Sequence, residues 1–264
     1  MNLFKKHSRL PRPASELLNI GCGRQFHPAW TNLDVSPVDE SVIQYDARLP
    51  LPFANESFTV VYHSHVLEHL SREEGRAFLS ECFRVLKAAG VVRVVVPDLE
   101  QITRLYLENL DRALAGDEHS ARKYEWMKLE LLDQLVREES GGEMAKYWKQ
   151  NPMPAEEFVL ARMGGEARLV IEKLRARPPR ERKRVFRSTA DVAAFRAKGE
   201  IHKWMYDRYS LAVALRAAGF MEPRLCRADE SAIPRFIEFH LDTDEQGAVR
   251  KPDSLFMEGI KPPA

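Results

Sequence analysis

Short apolar runs that end in polar residues or glycine alternate with longer polar stretches over the first hundred positions. That rhythm is the one produced by a parallel sheet whose strands are joined by crossover connections. It predicts strands at Leu17–Ile20, Thr31–Val35, Val42–Tyr45, Phe58–Tyr62 and Val91–Val96. Between the last two, Phe78, Leu79, Cys82, Val85 and Leu86 recur at helical spacing, which predicts a helix over Arg72–Lys87 with Gly90 suited to its C-terminal cap. From about Leu99 to Glu200 the pattern changes. Leu, Ala, Glu, Lys and Arg replace the β-branched runs, and breakers at Gly141-Gly142, Pro152, Pro154, Gly164-Gly165 and Pro178-Pro179 divide the stretch into several helices. The earlier rhythm then returns, with an amphipathic helix over Ser210–Ala218 closed by Gly219, a strand around Leu225 and a last strand at Ser254–Ile260. The organisation expected is an α/β core formed by residues 15–100 and 201–264, an N-terminal arm at 1–14, and a helical insertion at 101–200 after the fifth strand.

Composition narrows this picture without redirecting it. The 264 residues are 44% hydrophobic and 30% charged, and 40 basic against 39 acidic side chains leave a net charge of +1, so long-range charge argues against nucleic acid as a partner. The one basic concentration, Lys173 to Arg187, reads as a solvated helix end or an anion-binding edge. It has no aromatic stacking motif beside it, which disfavours an RNA acceptor. Cys22, Cys82 and Cys226 are odd in number and widely spaced, fitting neither a disulfide framework nor a zinc knuckle, and a reducing compartment follows. No apolar run approaches a membrane span, and Met1 to Arg12 lacks the apolar centre of a signal peptide, so the expected location is cytoplasmic.

The chemistry begins at Asn19-Ile20-Gly21-Cys22-Gly23, a glycine turn directly after the first strand. Open α/β sheets bind ligands at the carboxyl ends of their strands, where glycine lets the backbone approach a ligand closely. Asp34 ends the second strand, where a carboxylate can accept two ribose hydroxyls. A dinucleotide site would ask for a third glycine and an acid about 20 residues on. Here position 26 is Phe26 and Gly21 to Asp34 spans only 13 residues, so a nucleoside without phosphates, such as S-adenosylmethionine, suits the turn better than a nicotinamide dinucleotide.

These residues resemble the class I S-adenosylmethionine-dependent methyltransferases, specifically the type 11 group. The resemblance runs over Leu17–Pro97 and returns at His202–Phe220 and Ser254–Pro262. It is carried by Leu18 to Gly23, Trp30 to Asp34, Tyr45-Asp46, Leu51 to Phe53, Val66 to Leu70 and the closing Ser254 to Pro262. It implies a Rossmann-like sheet with helices on both faces, interrupted by the insertion. It also implies a donor site in which Asn19, Gly21, Cys22 and Gly23 pass beside the methionine part, Asp34 holds the ribose, Asp46 and Ala47 meet the adenine edge, and His63 and Ser64 border the methyl-transfer pocket. The sequence departs from the family pattern at Gln25, in place of the third motif glycine, at Phe58-Thr59 and at Ala88-Ala89-Gly90.

His63, His65, Glu68 and His69 fall within seven residues. His65-x-x-Glu68-His69 matches an inverted zinc-protease pattern, but that site needs both histidines on one long helix, whereas here a strand ends near Tyr62 and a helix starts near Ser71. Some related O-methyltransferases bind a divalent ion with a comparable Leu-Glu-His segment; Glu68 and His69 match it, while His65 replaces its earlier acid, so a metal is not expected. A local role, with Glu68 and His69 capping the following helix, is the plainer alternative. Where the acceptor is a weak nucleophile, a near-neutral histidine serves as base, and His65, His69 and His202 are the catalytic candidates. His202 to Asp207 stands where the insertion returns to the core and either lines a pocket mouth or anchors the insertion through Trp204 and Tyr206. The expected activity is methyl transfer to an oxygen or nitrogen of a small molecule or of a glycan or lipid precursor, with the insertion as a lid. A non-catalytic nucleoside-binding module and a dinucleotide-dependent oxidoreductase are the alternatives, and the oligomeric state is open.

Overall fold

The computed structural model describes residues 13–176 and 188–264. Most of the expected N-terminal arm, and the Pro178-Pro179 part of the basic stretch, lie outside the described residues.

Seven strands form one mixed sheet in the order β3-β2-β1-β4-β5-β7-β6. They are β1 (Leu17–Ile20), β2 (Thr31–Asp34), β3 (Ile43–Gln44), β4 (Phe58–Ser64), β5 (Leu86–Pro97), β6 (Met221–Cys226) and β7 (Ser254–Ile260). The first five run parallel, and β7 inserts antiparallel between β5 and β6. The strand order reverses at β1, which pairs with β2 on one side and β4 on the other, so the carboxyl end of β1 is the switch point where such sheets open a crevice. This is the Rossmann-like α/β class expected.

The two faces of the sheet are covered unequally. On one, α1 (Arg72–Val85) and α7 (Arg208–Ala217) bury Phe78, Leu79, Cys82, Leu211 and Leu215 against Leu18, Val61, Val92 and Val94. Each helix starts from a capping box, Ser71 with Glu74 and Asp207 with Ser210, which satisfies amide groups that the first turn leaves open. The expectation that Glu68 and His69 cap α1 is therefore corrected. The apolar cluster on the other face includes no residue of an α-helix among the described residues, which departs from the helices expected on both faces. Trp30, Ile233, Phe236 and Leu241 cover Tyr62, Val95 and Phe256, contributed by the β1–β2 loop and by the long β6–β7 connection with its single turn of 3-10 helix at Phe236–Phe239. No helix forms between β1 and β2 either; residues 21–30 are turn and loop.

Gly90 is not a helix cap. α1 ends at Val85, β5 starts at Leu86, and Gly90 lies inside the strand, where a Cβ would meet the Lys87 carbonyl oxygen at 2.8 Å and the Thr59 carbonyl oxygen at 3.0 Å. The glycine admits a close backbone approach that Ala-Ala-Gly disguises as a loop.

Between β5 and α7 come α2 (Leu99–Leu114), α3 (Glu118–Val136), α4 (Gly142–Trp148), α5 (Glu156–Arg175) and α6 (Thr189–Arg196). They have a hydrophobic cluster of their own, with Ile102, Trp126, Met127, Tyr147 and Val159 buried together. α5 breaks at Gly164, whose φ of +76° suits glycine, and a Cβ there would lie 2.2 Å from the Arg250 carbonyl oxygen. The kink thus lets α5 press against the β6–β7 connection. That connection is tied to the sheet by a buried ion network. The fully enclosed Arg93 guanidinium donates to Asp242 at 2.7 Å and to Glu258 at 2.8 Å, and the Tyr62 hydroxyl donates to Asp242 at 2.6 Å.

Candidate active site

Two cavities open at the carboxyl ends of β1, β2 and β4, and both are lined by Gly21 and His65. The first, about 190 Å³, is walled by Ile20, Asp34, Asp46, Ala47, Val66 and His69, with Lys198, Gly199 and Lys203 closing it from the insertion side. The second, about 650 Å³, is walled by Asn19, Cys22, Gly23, Arg24, Tyr62 and Ser64, and by Leu169, Val170, Lys173 and Leu174 of α5 together with Leu241 and Lys251 of the β6–β7 connection.

The glycine turn is built tightly. Gly21 has φ +67° and a Cβ there would stand 2.2 Å from Val66 Cγ2; the Gly21 and Cys22 amides both donate to the Leu33 carbonyl, at 2.7 and 3.1 Å. Asn19 is buried, and its amide donates to the Gln25 carbonyl at 3.0 Å and to Asn32 Oδ1 at 3.1 Å, so it organises the turn from beneath. Asp34 accepts from the Gly23 amide at 2.8 Å through Oδ2 and from the Ser36 amide at 2.8 Å through Oδ1. Each oxygen keeps a second lone pair, and the residue lines the first cavity. The Cys22 thiol is pushed up to about 12, first by burial and then by the nearby Asp34 carboxylate, and is inert as a nucleophile.

Asp46 and Ala47 line the first cavity as expected of them by position. Asp46, however, is already gripped by Arg48 through Nε at 2.9 Å and Nη2 at 2.6 Å, and that hydrogen bonding holds its carboxyl below the ordinary range. Ser64 lines the second cavity. His63 does not border either one. β4 runs two residues beyond its expected end, and strict alternation turns His63 inward, where it is fully enclosed and meets Phe78 edge-on with ring centroids 4.9 Å apart. Neither ring nitrogen has a partner, and burial drives its pKa down to about 3.

The histidine candidates separate in the same way. His65 stands between the cavities with φ +54°, a conformation that costs a non-glycine residue energy and often marks a functional position. Its Nδ1 lies 3.2 Å from Glu68 Oε1 and its Nε2 lies 2.8 Å from Ser254 Oγ. His69 lines the first cavity and its Nδ1–H donates to the Ile201 carbonyl at 3.0 Å, leaving Nε2 unprotonated and 4.0 Å from Glu68 Oε1. His202 lines neither cavity; it is 6% exposed, held by Gln134 at 2.8 Å and packed edge-on behind His69. Burial lowers the pKa of all three, to about 3 for His202.

Glu68 sits at the centre of this group and was not among the catalytic candidates. It is fully buried, and burial raises its carboxyl to about 8, so it is a neutral acid at pH 7. Its place on the single 3-10 turn Leu67–His69, between a strand end and a capped helix, points it inward while its own carbonyl accepts from the Lys203 amide at 2.7 Å. One ligand atom each from Glu68, His69 and His202 lie within 4.8 Å of one another, a carboxylate and two imidazoles of the kind that hold a divalent ion. Lys251, Arg24 and the α5 aliphatics Leu169, Val170 and Leu174 have no counterpart among the expected site residues, whereas Lys173 belongs to the basic stretch read as a solvated helix end or an anion-binding edge. They lie far from the glycine turn in sequence or carry no motif, and only the ends of β4 and the β6–β7 connection bring them together.

Comparison with known proteins agrees with the recognition drawn from the motifs. Residues 18–94 match the family model of the methyltransferase domain. No curated protein matches the chain. Among solved structures, the chain is similar to the candidate methyltransferase in complex with the Trm112 methyltransferase activator of Haloferax volcanii, with 13% identity over 97% of this chain and 86% of that one at a TM-score of 0.40. It is also similar to an S-adenosylmethionine-dependent methyltransferase of Archaeoglobus fulgidus, with 14% identity over 93% of this chain and 85% of that one at a TM-score of 0.39. No helix among the described residues is long and apolar enough to cross a membrane.

Proposed function

We propose that the protein is an S-adenosylmethionine-dependent methyltransferase that moves a methyl group to an oxygen or nitrogen of a small molecule or of a glycan or lipid precursor. The observation carrying this is the Gly21-Cys22-Gly23 turn at the switch point, with Asp34 facing the same cavity. The residues fit the donor on two counts: Gly21, where any Cβ would collide with Val66, presents bare backbone to both cavities, and Asp34 keeps acceptor capacity for two ribose hydroxyls. Asp34 would hold the ribose, Ala47 and the Asp46–Arg48 pair would edge the base, and Gly21 and Gly23 would pass beside the amino-acid part. When bound, the donor supplies an electrophilic methyl group on a sulfonium.

This chain's own work is alignment and exclusion of water. His65, kept neutral by burial at the junction of the cavities, accepts a hydrogen bond from the acceptor at Nε2, with the Ser254 hydroxyl turning aside; burial thus leaves it orienting the acceptor and not serving as the near-neutral base expected from the sequence. Glu68 receives the Nδ1–H and fixes the ring. The α2–α6 segment acts as a lid through α5, which presents Leu169, Val170 and Leu174 to the second cavity. The test of donor binding is a thermal shift and calorimetric titration with S-adenosylhomocysteine. Wild type should gain melting temperature by mass action, and Asp34→Ala should lose on the order of 1.5–3 kcal/mol of binding. NADH binding in its place, or no binding of either, would sink the reading.

A second reading, a divalent ion on Glu68, His69 and His202, is favoured by the fully buried Glu68 carboxyl group beside the two imidazoles, which such an ion would hold in its ionised form. Magnesium, manganese or zinc should then raise the melting temperature of the wild type and not of Glu68→Gln.

A further inference from the structure

We infer that the acceptor carries one anionic group, a carboxylate or a phosphate, on an apolar arm. This rests on the donor reading above and concerns the second cavity. Arg24, Lys173 and Lys251 line that cavity, and among the described residues no Asp or Glu does. Lys251 Nζ has the Ser64 hydroxyl at 3.4 Å, and none of the three cations has a carboxylate within ion-pair distance among the described residues.

Elsewhere the surface of this chain pairs its cations freely, as Arg84 with Glu81 and Lys203 with Glu74 do. The buried carboxylates of Asp242 and Asp253 act on Lys251 through space without reaching it as ion pairs. Three cations lining one concave space with no carboxylate in ion-pair contact among the described residues focus a positive potential there, and an anion relieves their mutual repulsion. Arg24 directly follows the glycine turn and falls to the carboxylate of the donor's amino-acid part; Lys251 and Lys173, from the opposite walls, remain for the acceptor. Lys251 stands beside Ser64 and His65, so it fixes the anionic group near the reacting atom.

The position of Lys251 is held firmly. Asp242, clamped by Arg93 and Tyr62, starts the segment, the Arg250 amide donates back to the Asp242 carbonyl at 2.9 Å, and the Arg250 guanidinium donates to the His240 and Thr243 carbonyls at 2.8 and 3.0 Å. Apolar surface completes the cavity. Leu169 and Val170 of α5 are 57% and 44% exposed, large aliphatic groups left facing open space, and Leu174 and Leu241 adjoin them. A cation beside the junction and aliphatic side chains further out match an anionic headgroup with an alkyl or similarly apolar arm.

The test is calorimetry with octanoate, octyl phosphate and octan-1-ol, each titrated with and without saturating S-adenosylhomocysteine. At least one anion should bind about tenfold more tightly than octan-1-ol, and Lys251→Met should remove about tenfold of that affinity while leaving S-adenosylhomocysteine binding unchanged. Lys173→Met should remove less, because its side chain is the more exposed. The tighter of octanoate and octyl phosphate tells a carboxylate from a phosphate. Equal binding of octan-1-ol and both anions, or anion binding that survives the double variant Lys173→Met/Lys251→Met, overturns the inference. If S-adenosylhomocysteine binds and the anion preference is missing, the donor reading stands and the acceptor class falls. If the anion binds through Lys251 and S-adenosylhomocysteine does not, the reverse holds.

Discussion

The first cavity takes most of its walls from residues 20–70, where β1, β2 and β4 end side by side and each contributes the few positions beyond its last hydrogen bond. The second cavity borrows from the same glycine turn but is finished by α5 and by the β6–β7 connection, more than a hundred residues away. One is a product of strand order; the other depends on a kinked helix and a clamped loop meeting above it. A defect in the sheet should therefore damage the first, and a defect in the clamp or the kink should damage the second while sparing the first.

The largest test of that division is Arg93→Met. It leaves Asp242 and Glu258 buried without their cation, and breaking such a network typically costs about 3–5 kcal/mol. Chemical denaturation should register the loss, and limited proteolysis should find the β6–β7 connection opened before the sheet. S-adenosylhomocysteine binding by the remaining folded protein should persist.

Next comes a pair of alanines in the glycine turn. Gly21→Ala adds a clash with Val66 to the left-handed backbone strain of about 1–2 kcal/mol and should abolish the thermal shift given by S-adenosylhomocysteine. Gly23→Ala, at φ +53° with no atom near its new Cβ, bears the strain alone and should weaken binding without abolishing it. Equal effects would mean that the turn is flexible and the first cavity not preformed.

pH separates the groups at the junction from those under it. The folded Glu68 value of about 8 lies above its ordinary 4.5, so the unfolded chain gives up this proton first. Its contribution is full below pH 4.5 and is lost as pH rises through about 8. Melting temperatures across that window should fall less in Glu68→Gln than in wild type. His63 works in the opposite sense. Its folded value of about 3 lies below 6.5, so stability present above pH 6.5 is lost as pH falls through about 3, and His63→Leu should flatten that acid limb with the least change at neutral pH.

Most of the sheet was legible in the chain because its strands are short, apolar and bounded by turn residues. Leu17–Ile20 and Ser254–Ile260 fall where the pattern puts them. Legibility failed where tertiary pairing overrode local composition. Ala88-Ala89-Gly90 reads as a loop, yet β5 runs through it because β4 pairs with Leu86 and the β7 end reaches back to Ala89 and Gly90 through Lys261. The resemblance puts His63 at the pocket, and the apolar pattern ends the strand at Tyr62. Two more residues of period-2 alternation place His63 with Val61 on the α1 face. Glu68 was visible as a residue but not as a buried acid, since a one-turn 3-10 helix has no periodic signature. Lys251 carries no motif, and nothing local tells it apart from other lysines.

The bare loop that joins β1 to β2 has a selective consequence. A helix starting there would aim the positive pole of its aligned peptide groups at whatever occupies the crevice, which rewards pyrophosphates and penalises cations. By leaving that pole out, the chain removes from the end of β1 a field that would favour pyrophosphates and oppose cations.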